Sequence, residues 1–265
     1  PKGRISDVQR RQMTTVASSN VHNIAIEGTF DDCQDLAKGM FNDRAFRDRC
    51  RLSAVNSINW ARIMAQIAYY VVAAVALGAP GRRFTFAVPT GNFGNVYAAY
   101  AARRMGLPVN GFVIGSNIND ILTRYFATGE MRMTPVHPTL SPSMDIQVSS
   151  NFERLLFDYY GRNGTRLGPV MERFRKNDQA AFGKTRWRRM ARLFSGISVD
   201  DEATKMAIRV IHRQTGQLLD PHSAIAVTAG IGRHDYKTST LISVATAHPA
   251  KFPQAVEDAT GIRPP

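Results

Sequence analysis

The sequence has few cysteines and no apolar run long enough to cross a membrane. Its two cysteines, Cys33 and Cys50, are too few for a disulfide framework, and their spacing is not that of a metal site. The longest apolar run, from Ile67 to Pro80, is too short and too interrupted to span a bilayer. With Gly 20 and Pro 13 in 265 residues, collagen-like and low-complexity compositions are excluded. Because no basic and apolar signal segment stands at the start, we expect a cytoplasmic protein without a membrane partner.

Negative charge is also scarce relative to positive charge. Lys+Arg total 34 against 21 for Asp+Glu, which gives a formal net charge of +13. Most of these cations are arginines, which suit bidentate contacts with anions, although codon bias explains the same usage. Residues 184–192 form the most basic stretch, with Trp187 interleaved, and this pattern is found in nucleic-acid binders. As a helix, the stretch would turn Trp187 and Met190 inward, so we expect a solvated helix face and no nucleic-acid partner.

Strand-like and helix-like segments alternate along the chain, which is typical of an α/β fold. Residues 84–89 form the clearest strand, a Gly-rich turn and a helix follow directly, and residues 111–115 form the next strand. This order predicts a parallel sheet flanked by helices. We also expect a buried strand at residues 21–26 and late strands at residues 224–229 and 241–245.

The turn after the first clear strand reads Thr-Gly-Asn-Phe-Gly-Asn, residues 90–95. Gly91 and Gly94 permit open or left-handed backbone angles and a close approach to a ligand. The start of the following helix favours an anion. No Gly-Lys-Ser/Thr follows, and the third glycine of a dinucleotide fingerprint is missing, so a nucleotide is disfavoured. The turn therefore predicts a site for a single phosphate on a small cofactor, and a plain tight connection is the alternative.

This turn resembles the phosphate-binding loop of the threonine synthases, in particular of the longer bacterial and fungal type. Further stretches resemble the same family in the same order along the chain. They are residues 27–34, 56–63, 141–146, 151–156, 220–224 and 246–252.

The resemblance implies a lyase of the fold-type II pyridoxal-phosphate class, similar to the tryptophan synthase β subunit. Such an enzyme converts O-phospho-L-homoserine and water to L-threonine and phosphate. By the resemblance, the residues that hold the phosphate of pyridoxal 5'-phosphate are Gly91, Asn92, Phe93, Gly94 and Asn95. Thr246 matches the family's hydroxyl beside the pyridine nitrogen, and a Thr that caps a turn is the alternative.

The resemblance also suggests substrate contacts near the start of a long helix at residues 59–77. Asn56, Ser57, Asn59 and Arg62 would meet the phosphate or carboxylate of the substrate. Short polar side chains at a helix start are also ordinary capping residues, and without the resemblance capping would be preferred. Asp145 is expected to hold the proline-rich loop at residues 135–150 in place.

The Schiff-base lysine of this family stands in a Phe-Lys-Asp context, and none of the seven lysines here is followed by Asp. We therefore expect that lysine upstream, no catalytic residue in this chain, and no activity of the chain alone. Residues 1–75 would be the remainder of a smaller domain with the long helix. Residues 76–265 would be the large cofactor-binding domain, with a helical insertion at about residues 152–217. A monomer and a homodimer both stay open.

Two other functions remain as alternatives. A threonine or serine dehydratase would share the glycine-containing loop and the cofactor. A basic binding module without a cofactor would depend on residues 184–192 instead.

Overall fold

A computed structural model describes residues 2, 7–28, 30–54 and 59–264, and the statements below concern these residues. The chain divides into two compact units, residues 1–54 and 55–265. The first unit contains three helices in its described part: α1 (Asp7–Thr14), α2 (Phe30–Asn42) and α3 (Arg44–Cys50). Asp43 caps α3, because its carboxylate accepts a hydrogen bond of 3.0 Å from the Phe46 N–H.

The expected buried strand at residues 21–26 is wrong. The segment has no regular structure, and most of its residues are exposed, with Ile24 at 81% of its full exposure. No strand in the described part of the first unit is available to pair with it. A short apolar run without a pairing partner leaves its backbone groups to water.

The second unit contains the sheet and the helices that pack on it. Its strands are β1 (Phe84–Pro89), β2 (Val109–Ser116), β3 (Glu130–Arg132), β4 (Gln179–Ala181), β5 (Phe194–Ser198) and β6 (Thr240–Ser243). Its helices are α4 (Trp60–Ala76), α5 (Gly94–Arg104), α6 (Ile121–Thr128), α7 (Phe152–Tyr159), α8 (Gly164–Asn177), α9 (Lys184–Ala191), α10 (Asp201–Thr215), α11 (Pro221–Arg233) and α12 (Pro253–Thr260).

Four strands form one parallel sheet in the order β5-β2-β1-β6, and β3 pairs antiparallel with β4. All six residues of β1 are buried, as expected of a central strand covered on both faces. The prediction of a parallel sheet flanked by helices is confirmed. Because the strands are parallel, their carboxyl ends share one edge of the sheet, where loops from different parts of the chain meet.

The late part of the sheet differs from the expectation. Residues 224–229 belong to α11 and not to a strand. Asp220 and Pro221 explain this, because an N-cap carboxylate followed by proline at the first helical position starts a helix. The strand that completes the sheet beside β2 is β5, within the region expected to be mostly helical. The strand expected at residues 241–245 is confirmed as β6.

The long helix predicted at residues 59–77 is confirmed as α4. Its buried side chains are Ile63, Tyr70 and Ala74, whose spacing places them on one face of the helix. No helix of the described chain is long and apolar enough to cross a membrane. The assignment of residues 1–75 and 76–265 to two domains stays a prediction, because it concerns domains of a longer protein.

Candidate functional site

The loop between β1 and α5 leaves the sheet at the carboxyl edge. Thr90 fixes its start, since its N–H donates to the Gly115 carbonyl at 2.9 Å and its hydroxyl to the Val88 carbonyl at 2.8 Å. The residue with a left-handed backbone is Phe93, at a φ of 61°, while neither Gly91 nor Gly94 has a positive φ. Of the open or left-handed angles that the two glycines permit, they do not take the left-handed ones.

Phe93 holds this uncommon conformation because its ring is anchored in the core. The side chain is 1% exposed, and its ring centroid lies 5.2 Å from that of Phe152 and 6.0 Å from that of Phe194. A bulky residue in the left-handed region is strained, and the surrounding packing must hold it there.

Gly91 is needed for a close approach of two backbone segments. A Cβ atom added there would lie 2.6 Å from the Ser143 carbonyl oxygen and 3.1 Å from the Met144 Cα. The loop thus rests directly on residues 143–144, and a side chain at Gly91 would push the two segments apart.

The start of α5 has the properties of an anion site. In the part of the chain that the structure describes, no side chain caps the N-terminus of this helix. The first N–H groups of a helix have no partner within it, and the helix dipole favours a negative charge at this end. A phosphate fits this arrangement, because its oxygens accept hydrogen bonds from the N–H groups of a loop and of a helix start.

The two asparagine side chains of the loop are held by neighbouring elements. Asn92 Oδ1 accepts a hydrogen bond of 3.1 Å from the Ser150 hydroxyl. Asn95 Oδ1 accepts a hydrogen bond of 2.7 Å from the Tyr70 hydroxyl and one of 3.2 Å from the Tyr69 hydroxyl. Tyr70 is fully buried, and this burial raises the pKa of its phenol well above the usual range, so it stays a donor. The contacts to the two tyrosines fasten the start of α5 to α4.

The proposed substrate residues are described only in part. Asn56 and Ser57 lie outside the described residues. Asn59 is the N-cap of α4 and accepts a hydrogen bond of 2.8 Å from the Ala61 N–H, so the capping alternative is realised for this side chain. Arg62 is exposed, and its charge acts on Tyr69, whose hydroxyl donates to Asn95. Arg62 lies on the same helix as Tyr69, seven residues before it.

Thr246 follows β6, which pairs with β1, so it too lies beyond the carboxyl edge of the sheet. Its side chain is exposed, while its N–H donates to the Ser223 hydroxyl oxygen at 3.3 Å. The Ser223 hydroxyl in turn donates to the Asp220 carboxylate at the start of α11. The position of Thr246 is thus tied to a buried acidic residue.

Asp220 is the centre of a buried polar group. Its carboxylate accepts hydrogen bonds from the His222 N–H at 2.9 Å and from His222 Nδ1 at 2.8 Å, and both side chains are buried. Burial acts to raise the pKa of Asp220, but the hydrogen bonds from His222 and Ser223 outweigh it, so the pKa is lowered. The carboxylate is therefore ionised at neutral pH, although it is completely enclosed.

A second polar group surrounds Asp145, which was expected to hold the proline-rich loop. The carboxylate accepts hydrogen bonds from Asn117 Nδ2 at 2.7 Å, from Asn119 Nδ2 at 3.0 Å, and from both the hydroxyl and the N–H of Thr139 at 2.7 and 2.9 Å. This expectation is confirmed. Sequence reasoning missed Asn117 and Asn119, and the available signal was a pair of amides directly after a parallel strand.

The chain resembles known proteins along almost its full length. A family model described as "Threonine synthase, C-terminal" matches residues 223–265. The threonine synthase of Pseudomonas aeruginosa is 51% identical over 98% of this chain and 55% of the relative, and that of Saccharomyces cerevisiae is 40% identical over 98% and 54%. The structure of pyridoxal-phosphate-bound threonine synthase from Brucella melitensis is 48% identical in sequence to this chain, with a TM-score of 0.93. The match covers 100% of this chain and 57% of the Brucella melitensis chain.

The chain spans about half the length of the curated relatives it matches. The sequence identity to the relatives and the structural match to a fold-type II enzyme agree with each other. Over almost its whole length, the chain is therefore similar to about half the length of the threonine synthases, and its residues 223–265 match their C-terminal family model.

Proposed function

We propose that the full-length protein is a pyridoxal-phosphate-dependent threonine synthase, which converts O-phospho-L-homoserine and water to L-threonine and phosphate. The observation that carries the proposal is the uncapped start of α5, reached by a glycine-containing loop from the central strand. It provides N–H donors and a favourable dipole for one phosphate group at the edge of the sheet where ligands of such folds bind.

In this proposal, the residues of the loop bind and orient the cofactor. The N–H groups of residues 91–95 hold its phosphate, while Tyr70 and Ser150 keep the side chains of Asn95 and Asn92 in place. Thr246 lies beside the pyridine nitrogen, and Ser223 and Asp220 fix its backbone. Pyridoxal phosphate, when bound, supplies the electron sink that the elimination and the addition of water require.

The substrate would be a small molecule with a phosphate and a carboxylate. Arg62 is exposed near Tyr69 and carries a fixed positive charge, which suits either anionic group. The lysine that carries protons in this chemistry is expected upstream of these 265 residues, because no lysine among them stands in a Phe-Lys-Asp context.

The test uses the full-length protein and measures two products together. With O-phospho-L-homoserine, phosphate and threonine should be formed in equal amounts. Turnover of serine or threonine to a keto acid at a higher kcat/KM would instead identify a dehydratase. The absence of any cofactor absorbance in the purified and reconstituted protein would favour the cofactor-free alternative.

The cofactor-binding loop is tested with Gly94→Val, which adds a branched side chain to a buried position at the start of α5. Cofactor should be lost from this variant. Gly39→Ala is the control, since a Cβ at Gly39 in α2 meets no atom within 4 Å. Full cofactor occupancy in Gly94→Val would show that the phosphate binds elsewhere.

A further inference from the structure

The loop that we assign to the phosphate is covered on one side by residues 139–151, which we call the brace. The Ser149 hydroxyl donates to the Gly91 carbonyl at 2.7 Å, and the Asn151 N–H donates to the Asn92 carbonyl at 3.0 Å. At Gly91 the two backbones are so close that no Cβ fits between them. The brace therefore contacts the backbone of the loop and not only its side chains.

These two hydrogen bonds set the direction of the N–H groups that follow. In a trans peptide, the carbonyl and the N–H of one peptide group point in opposite directions. Because the carbonyls of Gly91 and Asn92 point to the brace, the N–H groups of Asn92 and Phe93 point away from it. The brace thus orients two of the donors that the proposed function assigns to the phosphate.

The brace has almost no secondary structure of its own to hold it. Its one regular element is the short 3-10 turn at Pro142–Met144. Asp145 is the centre of its attachment, since the carboxylate accepts from Thr139 within the brace and from Asn117 and Asn119 beyond the end of β2. Asn117 also donates directly to the Thr139 and Ser141 hydroxyls, at 2.8 and 3.0 Å. Both asparagines are buried, at 1% and 5% exposure, so this anchor is fixed to the sheet.

We propose that Asp145 is a positioning residue for the cofactor phosphate, which acts through the brace and does not touch the ligand. The proposal rests on the proposed function, because it explains how the loop keeps its donors aligned for a phosphate. All the donors around Asp145 are N–H or O–H groups, so a carboxylate with only acceptor atoms matches them and an amide does not.

The test compares Asp145→Asn with the unchanged full-length protein in the binding of two ligands. Pyridoxal phosphate uses the loop, whereas pyridoxal has the same ring and no phosphate. The amide places an NH2 group against at least one donor, so the anchor weakens and phosphate binding loses alignment. We expect about tenfold weaker binding of pyridoxal phosphate, with pyridoxal nearly unchanged. Equal losses for both ligands, or no loss for either, would overturn the proposal.

A second measurement tests, without any ligand, whether the brace stabilises the loop at residues 91–95. Amide hydrogen exchange at residues 91–95 should be faster in Asp145→Asn, and should be unchanged in the control Asn163→Ala. Asn163 caps α8 by accepting a hydrogen bond of 3.0 Å from the Arg166 N–H, so the control removes a side-chain hydrogen bond outside the brace. Should Asp145→Asn not fold, Thr139→Val replaces it in both measurements. It removes the hydroxyl that donates to the carboxylate and accepts from Asn117 Nδ2 and the Ser141 N–H, and it keeps the Thr139 N–H that donates to Asp145.

The two measurements separate the failure of this proposal from that of the proposed function. If the full-length protein without any substitution does not bind pyridoxal phosphate, the proposed function is contradicted. Unchanged exchange at residues 91–95 in a folded Asp145 variant would contradict the brace, whatever the cofactor does.

Discussion

The Cβ atom that alanine would add at Gly91 has no space in the folded protein. It would lie 2.6 Å from the Ser143 carbonyl oxygen and 3.1 Å from the Met144 Cα, so backbone and not a flexible side chain must move. Ordinary contacts of this kind begin near 3.4 Å. Forcing such an overlap in a packed region costs about 1–3 kcal/mol in the free energy of unfolding. For a unit of this size, each kcal/mol lowers Tm by roughly 2–4 °C.

Cofactor binding should fall together with stability in Gly91→Ala, because the same displacement moves the carbonyl of Gly91 away from Ser149. We expect binding of pyridoxal phosphate to weaken by about tenfold or more, measured by titration of the reconstituted full-length protein. Gly39→Ala is the control, since a Cβ at this position in the interior of α2 meets no atom within 4 Å and alanine favours a helix by up to about 1 kcal/mol. A Gly91→Ala protein with unchanged Tm and unchanged affinity would refute the close approach of the two segments.

Three further changes have defined outcomes. Tyr70→Phe removes the hydroxyl that donates to Asn95 and should lower the free energy of unfolding by about 0.5–1.5 kcal/mol in urea titrations, with weaker cofactor retention. The lowered pKa of Asp220 stabilises the fold above its unfolded value of 3.8 and stops doing so as pH falls through the folded pKa. Asp220→Asn should therefore be less stable at neutral pH, and should lose less stability than the unchanged protein as pH falls below 3.8. Finally, the 265-residue chain alone with added pyridoxal phosphate should release phosphate from O-phospho-L-homoserine only at the cofactor-only rate, since missing acid–base catalysis alone costs about 10²–10⁴ in rate.

The central strands and the loop could be predicted from the sequence, because the patterns that indicate them involve residues close together in the chain. The run at residues 84–89 is apolar throughout and ends in a glycine-containing turn, and β1 followed by α5 has this structure. By contrast, residues 224–229 are a short apolar run of the same kind and form part of a helix. Such runs do not distinguish a buried strand from a buried helix, and the Asp-Pro start was the feature that decided.

The details of the loop depend on contacts between distant parts of the sequence, which periodicity does not reveal. The glycines were expected to permit open or left-handed angles, and the residue that takes the left-handed conformation is Phe93, because rings from α7 and β5 enclose its side chain. The role of Asp145 was indicated by its place among prolines, but its partners Asn117 and Asn119 come from the end of β2. The three-dimensional structure was needed to find such partners.

The anchored ring of Phe93 makes the cofactor loop unsuitable for transfer to another protein. The hexapeptide at residues 90–95 takes its shape from a strained residue whose ring is held by α7 and β5, and from a neighbouring segment that touches Gly91. If this hexapeptide were placed between a strand and a helix of a different protein, it would lack these contacts. Phe93 would then relax to an ordinary backbone angle. A designer who wants this phosphate site must therefore transplant the aromatic cluster and the covering segment along with the loop.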